Sequence, residues 1–360
     1  MRQDKVAFND IVIWHVGGSG DCGPVEKILC SPFRDKVKLI IFEPREASND
    51  AKYIQELSLR GIKGLLVNTC VLDKVGKQTL YINKHPQSSS LLRPAQKAKL
   101  EHIPWGDWLT WAEDTALDRT VTVETTTIDR LVQGNNLPLP DVVSIDAQGS
   151  ELPVLLGGAQ SISKNTLCVV SEVEFFEIYE GQGLFQDQYQ FLYKLDFRLA
   201  DILNQQYWHP SFRLGEGFLS VGEALFLRNP GTWGDYASYD DERKVISLLK
   251  LAVISYCFER YSNVYRIIET IKKQFADASK VILSATADYN KLIEVYNFIN
   301  QNMDKYKTDK FYLQNKPDYS ILSRKPFRRN QFKWITKQIL PPFALGVIRK
   351  LRNKLKDGKQ

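Results

Sequence analysis

A glycine-rich loop follows the first apolar run of the sequence and is the first segment suited to binding a ligand. Gly17, Gly18 and Gly20 come directly after the run 10–16, and Pro24 stands near the start of the next helical segment. Glycine permits a positive φ and lets a ligand approach the backbone closely, and free N–H groups at a helix start favour an electronegative group. The loop predicts a nucleotide-like ligand, although turn chemistry alone also explains a lone glycine cluster.

A carboxylate in a matching position supports a ligand site at this loop. Glu43 stands at the end of the second apolar run, 38–42, 26 positions after Gly17, and Pro44 follows it. In a Rossmann-type sheet, an acid at this place lies beside the first loop and accepts hydrogen bonds from both hydroxyls of a ribose. The spacing therefore predicts that Gly17 and Glu43 contact the same ligand.

A second acidic segment ends the fourth apolar run of the sequence, residues 141–146. Asp146 is predicted at the carboxyl end of that strand, in the same cleft, where it would position a nucleophile or line the ligand pocket. Gly149 allows a sharp turn, and Glu151 is either an active-site group or an acid that caps the next helix. The fifth apolar run adds a third acid, Glu172 or Glu174, whose orientation the sequence leaves open.

The cysteine and histidine residues are widely spaced, so we expect no metal site. They are Cys22, Cys30, Cys70, Cys168 and Cys257, with His15, His85, His102 and His209. An odd number of cysteines, none in C-x-x-C spacing, is typical of a reducing compartment. The N-terminal residues show no signal-peptide pattern, and no stretch approaches the ~18–20 apolar residues of a membrane span. A cytoplasmic protein is expected.

The elements that must position these residues are short apolar runs separated by helical stretches. The runs are 10–16, 38–42, 64–71, 141–146, 167–173, 197–203 and 223–227. Near-continuous apolar runs of this length indicate strands that are buried on both faces of a parallel sheet. The alternation predicts an α/β fold, an open Rossmann-like sheet with helices on both faces.

One segment interrupts the alternation, and residues about 74–125 are predicted to form an insertion above the carboxyl edge of the sheet. It contains Trp105, Trp108 and Trp111, followed by a Thr-rich, strand-like run at 120–127. The tryptophans would form either a lid or substrate wall, or an aromatic core beneath a long loop.

The C-terminal third differs in pattern from the rest. We predict a main domain over 1–232, a small α-helical module over 238–310 and a basic amphipathic tail over 323–360. From residue 324 onwards there are twelve Lys or Arg residues and one acid, Asp357. Because the formal net charge of the whole chain is only +6, the rest of the chain is mildly acidic.

Apolar residues lie among the cations of the tail, which favours an anionic membrane surface as the partner of residues 324–356, at the cytoplasmic face. A solvated tail is the plainer interpretation. Phe327, Phe332 and Trp334 would also suit stacking on nucleic-acid bases, a partner that we consider less well supported.

Five segments together resemble the FkbM-type methyltransferase family. The longest, 141–159, contains an apolar strand, the sequence Asp-x-x-Gly-x-Glu and a helix that ends near Gly-Ala. The other segments, in chain order, are Phe42-Glu43-Pro44, Ser88-Ser-Ser-Leu91, Glu124–Leu131 and Val170-Ser-Glu172-Val173. The resemblance covers roughly residues 10–228.

The resemblance implies a class I fold, S-adenosylmethionine as the cofactor, and methyl transfer to a hydroxyl, often on a sugar or polyketide. It implies a small-molecule, glycan or glycolipid acceptor. The residues that it assigns are Gly17, Gly18 and Gly20 in the cofactor loop, Glu43 at the ribose, Asn68 on the adenine side, and Asp146 with Glu151 at the catalytic edge.

Two positions depart from the family's usual pattern. His15 stands where the family has Asp, and Ala147-Gln148 stands where it often has Val-Glu. A non-catalytic scaffold with the same fold is therefore one alternative. An NAD-dependent or nucleotide-sugar enzyme is the other, because it would share the glycine loop and the ribose acid.

Overall fold

The computed structural model describes most of the first 275 residues. The described residues are 10–17, 22–44, 55, 57–101, 110–134, 136–208, 217–231, 239–275 and 296–297. Several residues and segments named in the predictions lie outside them: Gly18, Gly20, Trp105, Trp108, His209 and the tail 323–360.

The described strands form two sheets. The strands are β1 Ile11–Gly17, β2 Val37–Phe42, β3 Lys63–Val67, β4 Cys70–Val71, β5 Gly76–Asn83, β6 Leu117–Thr126, β7 Val142–Asp146, β8 Cys168–Glu174, β9 Phe197–Trp208 and β10 Phe218–Arg228. The main sheet has the order β3-β2-β1-β7-β8-β10-β9, and β10 runs antiparallel to both of its neighbours. The other pairs are parallel, which confirms the predicted Rossmann-like α/β class.

The central strands form because apolar side chains cover both of their faces. In β1 the residues Ile11 to Val16 are all buried, and Trp14 packs on Phe42 of β2 with ring centroids 4.9 Å apart. Burying each large apolar side chain stabilises the fold by about 1.5–3 kcal/mol. The apolar runs of the sequence therefore become the centre of the sheet.

The described α-helices are α1 Glu26–Leu29, α2 Gln96–Glu101, α3 Trp111–Asp114, α4 Ile128–Gln133, α5 Glu151–Gly157, α6 Ala159–Asn165, α7 Phe185–Lys194, α8 Asp241–Cys257 and α9 Tyr261–Gln274. The sequence predicts one helix over 151–163, whereas the structure has two. The break lies where the backbone of Gly157 approaches the Leu72 carbonyl, and a Cβ at Gly157 would stand 2.1 Å from that oxygen.

Strands β5 and β6 of the insertion form a small sheet with β4, which lies just before it, in the order β4-β6-β5. The predicted strand 64–71 is divided: Lys63–Val67 joins the main sheet, and Cys70–Val71 pairs with the end of β6. Trp111 is 4% exposed and packs on Tyr179 and Trp208, with centroids 5.4 and 5.1 Å away. Trp111 therefore belongs to an aromatic core, which is the second of the two predicted alternatives for the tryptophans.

Two helices follow the main sheet, where the helical module is predicted. Lys250 of α8 forms a half-buried ion pair with Asp141, Nζ to Oδ2 2.8 Å, and Arg260 pairs with Asp201 of β9 at 2.9 Å. These contacts dock the helices onto the sheet, and the domain boundaries stay predictions. Among the described helices, none combines the length and apolar character needed to cross a bilayer.

Candidate active site

A cleft opens at the carboxyl ends of β1, β2 and β7, beneath the insertion. It encloses about 550 Å³ of space, part of it open to solvent. Gly17, Glu43 and Asp146 line it from the sheet, and Leu80 and Ser90 line it from the insertion. Ligands of doubly wound α/β proteins bind at this edge, so the cleft is the candidate site.

Gly17 closes one side of the cleft with bare backbone. Its φ is +79°, and a Cβ at this position would stand 2.0 Å from the carbonyl oxygen of Asp146. The two residues are paired in register between β1 and β7. Glycine is therefore required here on two grounds, backbone conformation and close approach.

Glu43 directly follows β2, is 5% exposed, and lines the same cleft as Gly17. The walls around it are largely apolar, with Phe42 and Val71 among them. Burial and the nearby Glu43 carboxylate raise the pKa of the Cys70 thiol to about 12, so this cysteine stays protonated. The structure places Gly17 and Glu43 in the wall of the same cleft, as the sequence predicts. Their contacts with a cofactor stay predictions.

The segment after β3 differs from expectation in detail. Asn68 is exposed and is not part of the cleft wall, whereas the next two residues, Thr69 and Cys70, line the cleft. The predicted adenine contact of Asn68 stays a prediction, and Thr69 is the neighbouring polar residue that the sequence did not single out.

Glu151 holds the loop after β7 in place. Its side chain is fully buried, and Oε1 accepts hydrogen bonds from the backbone N–H groups of Ala147, at 2.8 Å, and Gly149, at 3.1 Å. Gly149 has φ +91° and packs against the Tyr179 ring. Glu151 thereby fixes the turn that carries Asp146 into the cleft.

Asp146 is linked to strand β8 through an amide side chain. Gln148 Nε2 lies 2.8 Å from Asp146 Oδ1 and 3.1 Å from Glu172 Oε2. The other end of the amide, Oε1, lies 2.9 Å from the hydroxyl of Tyr179. Sequence reasoning noted Gln148 only as a departure from the family's pattern, and it missed Tyr179, because a lone aromatic residue has no spacing that marks it.

Four carboxylates lie close together here, those of Asp146, Glu151, Glu172 and Glu174. Burial and their mutual repulsion raise the pKa values of the three glutamates. Burial, followed by the charge of Asp146, raises the pKa of Glu151 to about 7. Burial raises the pKa of Glu172 well above its usual range, and Asp146 and Glu174 add to the rise. The pKa of Glu174 is also well raised, by burial, Glu151 and Asp146. Glu151, with a pKa of about 7, can therefore accept or release a proton near neutral pH.

His15, which replaces the family's usual Asp, is buried in β1 and is not part of the cleft wall. Its Nδ1 lies 2.9 Å from the hydroxyl of Ser144 in the neighbouring strand β7. The side chain therefore belongs to the interior of the sheet.

The strand order and the cleft define a Rossmann-like α/β arrangement with a ligand site at the carboxyl ends of its strands. Residues 29–199 match the family model of the methyltransferase FkbM domain. Families of this kind use S-adenosylmethionine as their cofactor. A search of curated proteins gave no match.

Several solved structures resemble the chain distantly. The FkbM methyltransferase from Methylobacillus flagellatus KT is 12% identical, with a TM-score of 0.32, over 60% of this chain and 44% of that one. Precorrin-6y C5,15-methyltransferase from Geobacter metallireducens GS-15 is 10% identical, with a TM-score of 0.30, over 61% and 81%. The tRNA methyltransferase TrmK from B. subtilis is 12% identical, with a TM-score of 0.29, over 82% and 90%. The likeness to the FkbM family rests on the sequence match over residues 29–199.

Proposed function

We propose that this protein is an S-adenosylmethionine-dependent methyltransferase that methylates a hydroxyl of a sugar or glycan. One observation carries the proposal: the bare backbone of Gly17 and the carboxylates of Glu43 and Asp146 line a single cleft of a chain that matches the FkbM family model. A nucleoside-bearing ligand needs a close backbone approach and a ribose acceptor side by side.

The residues of the cleft fit this cofactor. Glu43 would accept the two ribose hydroxyls, and Gly17 would begin the loop, with Gly18 and Gly20, that holds the amino-acid end. S-adenosylmethionine supplies a methyl group on a positively charged sulfur, and the acidic residues of the cleft suit that charge.

Asp146 is the proposed catalytic residue, because it lines the cleft on a loop that Glu151 holds rigid. It would orient the acceptor hydroxyl and take up its proton. The hydroxyl oxygen forms the new bond to the methyl carbon, and the electron pair of the broken carbon–sulfur bond stays on sulfur. Alignment supplies most of the rate, since the donor is already reactive.

The test is transfer of a labelled methyl group to a panel of glycans and glycolipids by the full chain. We expect Asp146→Asn to slow transfer strongly and to leave cofactor binding intact. Calorimetry with S-adenosylmethionine, NAD and a nucleotide sugar tests the class of ligand. Binding of NAD or a nucleotide sugar alone would overturn the proposal, and cofactor binding without transfer to any acceptor would favour a scaffold.

The proposed acceptor is glycan-linked and the proposed location cytoplasmic, with the tail 324–356 as a contact to anionic membrane lipids. The eleven basic residues of this segment support the contact, because each cation near an anionic surface is worth about 1 kcal/mol. Sedimentation with phosphatidylserine vesicles, compared with phosphatidylcholine vesicles and with high salt, measures it. Equal sedimentation with both lipids would remove the membrane contact.

A further inference from the structure

The side-chain amide of Gln148 contacts three neighbouring side chains at the edge of the cleft. Its Nε2 group carries two protons, and it lies 2.8 Å from Asp146 Oδ1 and 3.1 Å from Glu172 Oε2, so each proton has a carboxylate oxygen as its acceptor. The Oε1 atom lies 2.9 Å from the Tyr179 hydroxyl. An amide oxygen in the place of Nε2 would face two acceptors, so the two carboxylates determine which end of the amide meets them.

Tyr179 holds the other end of this amide. Its ring is fully buried and packs on Trp111, with ring centroids 5.4 Å apart. The hydroxyl also lies 3.1 Å from the Ser88 carbonyl oxygen, but that oxygen already accepts a hydrogen bond from Asn83 Nδ2 at 2.7 Å. The proton of Tyr179 is therefore available to Gln148 Oε1, the nearer acceptor. A donor on a buried, packed ring fixes the amide in one orientation.

The backbone of Gln148 is held in an unusual conformation. Its φ is +49°, a left-handed value that is uncommon for residues other than glycine. The hydroxyl of Ser90, on the insertion, donates to the Gln148 carbonyl oxygen. Glu151 accepts the N–H groups of both flanking residues. Strain of this kind persists where the surrounding contacts over-determine it, and it is concentrated at functional sites.

Asp146 needs such a donor because it lies among other acids. Burial, followed by the charge of Asp146, raises the pKa of Glu172 well above its usual range, and the same charge acts on Glu151 and Glu174. Repulsion between two carboxylates acts on both partners, so the glutamates oppose the ionisation of Asp146 in turn. The N–H groups of Gln148 counter this repulsion, because they stabilise a charged carboxylate and bring no charge of their own.

We propose that Gln148 is a positioning residue for Asp146, whose amide N–H binds one carboxylate oxygen, orients the carboxylate and keeps it ionised in the cleft. Both residues line the cleft, where the acceptor hydroxyl would enter. The part of Gln148 in catalysis rests on the proposed function, because Asp146 must be ionised to take up the proton of the acceptor hydroxyl. Gln148 itself transfers no proton.

Titration of the Asp146 carboxyl, followed by NMR of the full chain with isotope-labelled aspartate carboxyl carbons, tests the inference without any acceptor. The Asp146 signal is the one that is lost in Asp146→Asn. Gln148→Met keeps the length of the side chain and removes both N–H donors, so the midpoint of this signal should rise by about one pH unit. Gln148→Glu adds a carboxylate and should raise it further.

The matched control is Gln190→Met, which changes an exposed glutamine on α7 and should titrate as the wild type does. A thermal melt of each variant establishes that it is folded. Gln148→Met and the control keep the other titratable groups around Asp146, which are Glu43, Glu151, Glu172, Glu174, Tyr179 and, next to Glu172, Glu223. A shift that is specific to the Gln148 variants therefore reports the lost N–H donors.

Methyl transfer by the same variants, to the glycan of the panel that the wild type methylates best, separates positioning from a merely structural role. Gln148→Met should lower kcat at least about ten-fold and leave the KM for S-adenosylmethionine unchanged. The inference is overturned if Asp146 in a folded Gln148→Met titrates as in the wild type, or if kcat is unchanged. A shifted titration in a chain that transfers no methyl group to any acceptor removes the proposed function and keeps the positioning of Asp146.

Discussion

Replacing Glu151 with Gln should make the protein more stable at alkaline pH and leave its stability almost unchanged at pH 5. Burial and Asp146 raise the pKa of the folded-state carboxyl from 4.5 to about 7. Between these values the folded chain holds a proton that the unfolded chain has lost. Stability therefore falls as the pH rises through this window.

The size of the effect follows from the shift. A rise from 4.5 to about 7 corresponds to roughly 3 kcal/mol, at about 1.4 kcal/mol for each pKa unit. For a domain of this size, 1 kcal/mol shifts the melting temperature by about 2–4 °C. At pH 8 the Gln variant should melt about 6–12 °C above the wild type.

The assay is thermal unfolding at pH 5 and pH 8. Gln keeps the oxygen that accepts the N–H groups of Ala147 and Gly149, whereas Glu151→Ala leaves both N–H groups unpaired. Each costs about 1–3 kcal/mol, so the Ala variant should be destabilised at both pH values. Glu180→Gln, which changes an exposed acid, is the matched control. A gain for Glu151→Gln that is equal at pH 5 and pH 8 would refute the reasoning.

Three further predictions concern single residues. Gly17→Ala should destabilise the fold by at least about 1–2 kcal/mol from its positive φ alone, with added cost from the approach to the Asp146 carbonyl; a melting temperature equal to that of the wild type would contradict this. Lys250→Met should lower the free energy of unfolding in urea by about 3–5 kcal/mol, because it leaves the Asp141 carboxylate without its cation. A decrease of less than about 1 kcal/mol would count against this prediction. Asp146→Asn should lower turnover at least about a hundred-fold with cofactor affinity unchanged in calorimetry; unchanged turnover would exclude a role in proton uptake.

Much of the sheet could be predicted because parallel strands buried on both faces appear as apolar runs. The run before Gly17 and the run before Asp146 become adjacent strands, so both residues lie at the same sheet edge. The position of Glu43 followed from the same rule. The chain contains enough local information to place residues at strand ends.

Other features depend on contacts between distant residues and were not predictable. The link from Gln148 to Tyr179 joins positions 31 apart, and the bond from Tyr179 to Ser88 spans 91. The need for glycine at position 157, where the helix ends, comes from the close approach of the Leu72 carbonyl, 85 positions earlier in the chain. The sequence left Glu151 open as a capping or a catalytic acid, and its hydrogen bonds with the N–H groups of Ala147 and Gly149 show that it holds that turn.

The binding of S-adenosylmethionine to Glu43→Gln tests the central claim most directly. A carboxylate accepts hydrogen bonds from both ribose hydroxyls, whereas the amide offers a single acceptor oxygen. Calorimetry should show binding to the wild type and to Glu180→Gln, and affinity lowered at least about ten-fold, or 1.4 kcal/mol, in Glu43→Gln. Equal affinity in a folded Glu43→Gln would contradict the placement of the cofactor in this cleft.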